Sequence, residues 1–132
     1  MILLLDTDIL IGAIRENTDA VDVMNFMEQR GEKLNTTVIN VFEILEGVLL
    51  GTDKEKRFVQ AEKFLKSFVS YDFDNYASRI AANISSDLKK KGETLDFQDI
   101  VIAAIAINNN EVLITRNIKH FSRIKGLKIE KW

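Results

Sequence analysis

The chain has 132 residues, of which 46 % are hydrophobic; this fits one domain over residues 1–132 and excludes global disorder. No apolar run approaches the ~20 residues that a membrane span needs, and the start lacks the basic region and cleavage site of a signal peptide, so we expect a cytoplasmic protein. The net charge of −2 excludes little, but zero cysteines and one histidine exclude disulfides, thiolate metal sites and histidine clusters.

The first half of the chain alternates short apolar runs with patterns of helical period. Capping residues and glycines mark where the helices begin and end. The sequence first predicts a buried strand over 2–5, a helix from Asp6 or Thr7 to about 14, and a helix capped by Thr18 or Asp19 and ended by Gly31. It then predicts a weak strand over 33–36, a helix capped by Thr37, and a charged amphipathic helix over 53–66. The apolar residues of the helix after Thr37 follow the helical period and are Val38, Val41, Phe42, Leu45 and Leu49.

The second half repeats the alternation and contains the most apolar helix. In chain order the sequence predicts a short strand over 68–73, a helix capped by Asp74 and ended by Gly92, a helix over 96–108 that is apolar all round at 100–107, a strand over 111–115, a short helix over 118–121 and a last strand over 127–130. Strands that alternate with helices indicate an α/β sandwich with a mostly parallel sheet. In such a sheet the ligand site lies beyond the carboxyl ends of the strands.

Oxygen-bearing side chains fall near these strand ends. Asp6 follows the first strand, Glu43 lies on the helix after the second, and Asp99 lies in the first turn of the buried helix. Thr115 ends the clearest late strand and Asn117 follows it. Three carboxylates in one cleft repel one another unless a cation joins them, and Mg²⁺ and Mn²⁺ prefer oxygen ligands. We therefore expect a divalent metal site that can activate water against a phosphodiester.

Each of these residues also has a purely structural interpretation. Asp96 can cap its helix, and a second acid in the first turn is favoured by the helix dipole. Glu43 can face solvent, and Asp8 can be either a second acid of the site or a cap. We expect His120 to pack or to bond the backbone rather than to act in catalysis.

Charge is distributed unevenly along the chain. Residues 1–114 carry 12 Lys and Arg against 19 Asp and Glu, whereas residues 115–132 carry six against one. An acidic body with a basic end fits a polyanion bound beside a cation site, although an ordinary solvated surface has the same pattern.

Four segments of the chain carry motif-like patterns, and they occur in a fixed order. They are LDTDILI at 5–11, VFEILEG at 41–47, DIVIAA at 99–104, and LITRN at 113–117 with FSRIKGL at 121–127. Taken in this order, they resemble the motifs of PIN-domain ribonucleases, and most closely those of VapC-type toxins from prokaryotic toxin–antitoxin pairs. The resemblance covers essentially the whole chain.

The resemblance implies a three-layer α/β/α domain and a divalent-metal-dependent endoribonuclease, with Mg²⁺ or Mn²⁺, acting on structured RNA such as a tRNA or rRNA loop. It implies that Asp6, Glu43 and Asp99 are the catalytic acids and metal ligands, and that Asn117 takes the place of a fourth group. It also implies a homodimer and a VapB-type antitoxin whose C-terminal segment fills the cleft.

Further residues join this expected site. We expect auxiliary roles for Thr115, Asp96 and Asp8, and contacts with the RNA backbone for Arg116, Lys119 and Arg123. The chain departs from the family pattern at three positions. Asp8 stands where Asn or Ser is usual, Asp96 adds another acid, and Lys125 replaces a common Pro.

Two other functions remain open at this point. The segment Asp6-Thr7-Asp8 is also similar to the opening signature of haloacid-dehalogenase phosphatases, with Asp6 as nucleophile and Asp8 as acid. Against that, the chain lacks a late Gly-Asp-x-x-x-Asp and is short for that fold. A non-toxin PIN-like module that binds or processes RNA is the other alternative, although all three acids are present.

Overall fold

Five parallel strands form one sheet at the centre of the protein, and the computed structural model describes all residues, 1–132. The strand order is β3-β2-β1-β4-β5, and every neighbouring pair is parallel. This confirms the predicted α/β class and parallel sheet. The strands are β1 (Ile2–Leu5), β2 (Lys33–Thr37), β3 (Ser70–Tyr71), β4 (Val112–Ile114) and β5 (Ile129–Glu130).

Seven helices connect and flank the strands, and several begin at the capping residues that the sequence indicated. Thr37 Oγ1 accepts a hydrogen bond from Asn40 N, and Asp74 Oδ1 accepts one from Ala77 N. The helices are α1 (Thr7–Ile14), α2 (Thr18–Gln29), α3 (Val38–Leu49), α4 (Lys54–Leu65), α5 (Asn75–Lys90), α6 (Phe97–Asn108) and α7 (Ile118–Phe121).

The helices cover both faces of the sheet, as the alternation of side chains along β1 shows. Leu3 and Leu5 pack in one core with buried residues of α1, α2, α3 and α4. Leu4 points the other way and packs with buried residues of α5, α6 and α7. Because both faces are buried, β1 is apolar throughout, and the three-layer arrangement follows.

The structure corrects several local predictions. The strands expected over 68–73 and 127–130 shrink to Ser70–Tyr71 and Ile129–Glu130, because both lie at sheet edges and pair on one side only. Helix α2 is capped by Asn17, not by Thr18 or Asp19. On α3, Phe42 and Leu49 are 50 % and 52 % exposed, because the helix turns Asn40 and Ile44 toward the interior instead.

None of the seven helices has both the length and the apolar character that a membrane crossing requires. That residues 1–132 form a single domain stays a prediction; both helical layers pack on the same sheet.

Helices α1 and α2 approach each other so closely that one contact point requires glycine. A Cβ atom added to Gly12 would lie 2.7 Å from the Cβ of Ala20, well inside van der Waals contact. We expect Gly12→Ala to lower the free energy of unfolding by about 1–3 kcal/mol through overpacking. Urea denaturation followed by circular dichroism measures the change.

Gly47 provides the matched control, because it also lies inside a helix, α3, but a Cβ there would meet nothing within 4 Å. We expect Gly47→Ala to raise the free energy of unfolding by about 0.5–1 kcal/mol, the helix propensity that glycine lacks. Equal effects of the two substitutions would contradict a tight α1–α2 contact.

Candidate active site

Asp6 occupies the point where β1 ends and α1 begins, and it is 8 % exposed. Its backbone N–H donates to Ile114 O at 3.0 Å, which ties it to the end of β4. Its carboxylate accepts hydrogen bonds on both oxygens, from Thr7 N at 2.9 Å on Oδ1 and from Thr115 Oγ1 at 2.6 Å on Oδ2. The acid is therefore held by two separate segments at the carboxyl edge of the sheet.

Asn40 connects the third segment to the same acid. This fully buried residue of α3 donates from Nδ2 to Asp6 Oδ1 and to Thr7 Oγ1, both at 3.0 Å. Its Oδ1 accepts from Thr37 Oγ1 at 2.7 Å, so both ends of the amide are engaged. Because Asn40 lies one helical turn before Glu43, it also fixes the turn that presents that acid.

Glu43 is partly buried beside Asp6. The hydroxyl of Thr7 donates to Glu43 Oε1 at 2.6 Å and also accepts a hydrogen bond from Asn40 Nδ2. Thr7, the first residue of α1, therefore connects that helix to Glu43 through its hydroxyl group. A charge-assisted hydrogen bond of this length orients the Glu43 carboxylate.

Asp99 lies in the first turn of α6 and meets residues from the segment after β4. His120 Nδ1 lies 3.5 Å from Asp99 Oδ2 and 3.0 Å from Asn117 Nδ2. One ring nitrogen cannot donate to the carboxylate and accept from the amide at once, so its proton decides which contact forms. Asn117 N donates to Thr115 Oγ1 at 3.0 Å, which joins this cluster to Asp6.

The environment of Asp6 disfavours its charged form. Burial raises the pKa of Asp6 from 3.8 to about 6, although the hydrogen bonds from Thr115 and Thr7 lower it. The negative charges of Asp8 and Glu43 raise the pKa further. Desolvation and neighbouring acids thus act together at this position.

The other two acids are perturbed in the same direction. Burial raises the pKa of Glu43, and the charge of Asp99 adds to the rise while the Thr7 hydrogen bond opposes it. Burial also raises the pKa of Asp99, against the lowering effect of His120. Asp6 and Glu43 repel each other, as do Glu43 and Asp99, so the three carboxylates form one electrostatic unit.

This donor set fits a divalent metal ion. No Lys or Arg forms an ion pair with any of the three acids, so their charge is left for a cation to neutralise. No three Asp, Glu or His side chains converge closely enough to enclose an ion by themselves. That is compatible with Mg²⁺, which uses one or two carboxylates and completes its octahedron with water or substrate oxygens.

The two auxiliary acids differ in their surroundings. Asp8 is fully engaged: Oδ1 accepts from Ile9 N at 2.7 Å and from Trp132 Nε1 at 3.1 Å, and Oδ2 accepts from Arg116 N at 3.0 Å. Asp96 is exposed at the N-cap of α6, but its side chain makes no capping hydrogen bond.

The three basic residues of the expected RNA-binding set are all exposed and follow the end of β4. The Arg116 guanidinium stacks on the ring of Trp132, and Arg123 Nη1 donates to Thr94 O at 3.4 Å. The Lys119 ammonium makes no hydrogen bond or ion pair, so it remains a free positive charge.

The predicted site residues do not include Thr7 or Asn40, and the prediction for His120 is that it packs or bonds the backbone. The structure instead places half-exposed His120 between Asn117 and Asp99. Asn40 had a usable signal, because it is a polar residue one turn from Glu43 on a mainly apolar helix.

The chain is similar to known proteins over most of its length. Residues 3–127 match the family described as the PIN domain. The ribonuclease VapC2 of Rickettsia felis is 30 % identical over 132 residues, covering 100 % of this chain and 98 % of that protein. The tRNA(fMet)-specific endonuclease VapC of Salmonella typhimurium is 27 % identical over 123 residues, covering 88 % and 93 %.

Solved structures are similar over the same length. The crystal structure of VapBC2 from Rickettsia felis, bound to a DNA fragment from their promoter, contains a chain that matches with a TM-score of 0.91 and 28 % identity, covering 100 % of this chain and 99 % of that one. DNA-bound VapBC from Salmonella typhimurium gives 0.89 and 25 %, covering 100 % and 98 %.

We expect Thr115→Val to raise the pKa of Asp6 above about 6, because valine keeps the shape of threonine but removes the donor to Oδ2. Carbon-detected NMR titration of the carboxyl group in EDTA measures the change. In the wild-type protein without metal, the favourable contribution of the protonated acid is complete below about pH 4 and is lost as the pH rises through about 6. The free energy of unfolding should fall over that range.

The exposed Thr52 provides the control, since Thr52→Val changes the same atoms at a residue whose side chain makes no hydrogen bond. This variant should leave the Asp6 titration unchanged. If Thr115→Val also leaves it unchanged, the hydroxyl does not stabilise the Asp6 carboxylate.

Proposed function

The chain belongs to the PIN-domain family, among its VapC ribonucleases, and from this premise we propose that it is a toxin that cleaves RNA with a divalent metal ion. The observation that carries the proposal is the unit of three buried or half-buried acids, Asp6, Glu43 and Asp99, whose charge no Lys or Arg neutralises. Such a site favours a cation and, beside it, the phosphate of a substrate.

In this proposal the site formed by Asp6, Glu43 and Asp99 would hold Mg²⁺ or Mn²⁺ together with water or substrate oxygens. When bound, the ion supplies an acidified water and neutralises charge on the phosphodiester. The chain itself supplies orientation. Thr7 and Thr115 hold the Glu43 and Asp6 carboxylates in place through hydrogen bonds of 2.6 Å.

The basic residues that follow β4 would hold the substrate. Arg116, Lys119 and Arg123 lie in the segment that also carries Thr115, so their charge is next to the acids. Positive side chains attract the RNA backbone irrespective of sequence. His120 can hold or release a proton at Nδ1 beside Asp99, and Asn117 is its second partner.

We propose structured RNA as the substrate, through an unpaired loop of a tRNA or rRNA. One relative is named a tRNA(fMet)-specific endonuclease, which supports a tRNA target. Unpaired loops can splay their bases and expose the backbone, which a paired helix does not do. A cytoplasmic site of action goes with such a substrate.

We propose a VapB-type antitoxin as the partner that keeps the nuclease inactive. The similar solved structures are described as VapBC complexes, which supports this assignment. A homodimer stays a prediction. Phe42, Leu49 and Leu50 are half or more exposed along one stretch of α3 and its end, which offers apolar surface for association.

Two alternatives were a haloacid-dehalogenase phosphatase and a non-toxin module that binds or processes RNA. The haloacid-dehalogenase alternative is not supported, because residues 3–127 match the PIN domain. A module that binds RNA without cleaving it is distinguished from the proposed nuclease only by activity.

We expect the purified protein to cleave a bulk tRNA preparation with Mn²⁺ or Mg²⁺ and to be inactive in EDTA. Asp99→Asn should lower the cleavage rate by about 100-fold or more, because it removes one charge of the metal-binding unit. Gel electrophoresis of end-labelled RNA measures both effects.

Asp87→Asn is the matched control, since it removes an exposed acid of α5 that makes no side-chain hydrogen bond and is not among the charges that shift the pKa of the three acids. Its rate should stay within about twofold of wild type, as expected for an exposed surface residue. Equal losses in the two variants would contradict a specific role of Asp99. RNA binding without metal-dependent cleavage of tRNA or rRNA would favour the non-cleaving module.

A further inference from the structure

Arg116 and Trp132 form a stacked pair on the surface, which we call the Arg116–Trp132 stack. The guanidinium carbon lies 3.6 Å from the ring centroid of Trp132, and Nε donates to Trp132 O at 3.3 Å. The arginine is exposed, whereas the tryptophan is partly buried against α1. Two separate contacts therefore hold a side chain that is usually mobile.

Asp8 ties both members of the stack to the active site. Its Oδ1 accepts from the Trp132 indole N–H at 3.1 Å, and its Oδ2 accepts from the Arg116 backbone N–H at 3.0 Å. Asp8 lies two residues after Asp6, and Arg116 directly follows Thr115, which donates to Asp6. The position of the stack relative to the acids is thus fixed by short covalent and hydrogen-bonded connections.

The outward face of the guanidinium is available to a ligand. One face of its plane is covered by Trp132, while the residue as a whole is exposed and forms no ion pair with any acid. Nucleobases stack on guanidinium and aromatic planes, and each such contact contributes measurably to binding single strands. A plane that is already ordered loses little entropy when a base docks on it.

We propose that the Arg116–Trp132 stack is a binding platform for an unpaired nucleobase of RNA beside the catalytic acids. The identity of the ligand as RNA rests on the proposed function. The platform adds base stacking, with Trp132 as a support, to the attraction of positive side chains for the RNA backbone. It also gives Asp8 a positioning role, which accounts for an acid whose two oxygens are both occupied. Lys119 offers a contrast, because it is a free point charge without a plane.

The chain contains a single tryptophan, so its fluorescence reports on this platform alone. The probe is a ten-nucleotide single-stranded oligoadenosine RNA, mixed in EDTA with the Asp99→Asn protein so that no cleavage occurs. We expect saturable quenching of the tryptophan emission. Fluorescence anisotropy of the labelled RNA, measured over a series of salt concentrations, gives the dissociation constant for each variant.

Arg116→Lys, in the same background, separates stacking from charge. It keeps the positive charge but loses the plane, so we expect the dissociation constant to rise about tenfold, with the slope of its logarithm against salt unchanged. Lys119→Ala removes one positive charge, so we expect the magnitude of that slope to fall by about 0.7, the value for one phosphate contact on a single strand. Circular dichroism confirms that each variant is folded.

Three results would overturn the platform: Arg116→Lys binding like the parent protein, RNA binding without a saturable change in tryptophan emission, or no binding of the single strand at all. The first would make Arg116 a phosphate contact. The test is independent of cleavage. Quenching with the expected variant effects, together with a wild-type protein that cuts no RNA in the presence of Mn²⁺, would refute the proposed function and leave the platform in place.

Discussion

The burial of the Asp6 carboxylate is the constraint on which the rest of this site depends. A buried charge is tolerated only when its oxygens are hydrogen-bonded, and here the donors come from three parts of the chain: Thr7, Asn40 and Thr115. Each donor lies at the carboxyl end of a strand or in the helix that follows. The order of the central strands, with β1 between β2 and β4, is what brings them to one acid.

The choice of neutral donors has an electrostatic consequence. Hydroxyl and amide groups satisfy the hydrogen-bonding capacity of Asp6 and Glu43 without cancelling their charge, so the pKa of each remains raised. An Arg or Lys in the same place would neutralise the cleft and stabilise the fold without metal. Repulsion among the acids therefore lowers the free energy of unfolding of the metal-free protein, and a cation that binds them would raise it. This is the physical link between the fold and the proposed chemistry.

A second acid near the cleft has a different task. Asp8 is close enough to raise the pKa of Asp6, yet its oxygens are committed to the backbone and to the indole of Trp132. It joins the start of α1 to the segment after β4 and to the end of the described chain. The two aspartates of one short motif thus have different roles. Asp6 belongs to the group of three acids, and Asp8 connects the start of α1 to Arg116 and Trp132.

The sequence by itself determined the elements and the acids, because those signals are local. Helical period and capping residues predicted the bounds of elements such as β1, α3 and α6 to within a few residues. Short motifs indicated Asp6, Glu43 and Asp99 as the candidate acids. Tertiary structure alone decided the hydrogen bonds among them. Asn40 reaches Asp6 across 34 residues and Trp132 reaches Asp8 across 124, and no local pattern encodes such pairings. Strand order and helix rotation set those distances, as they also turned Phe42 outward and His120 toward Asp99.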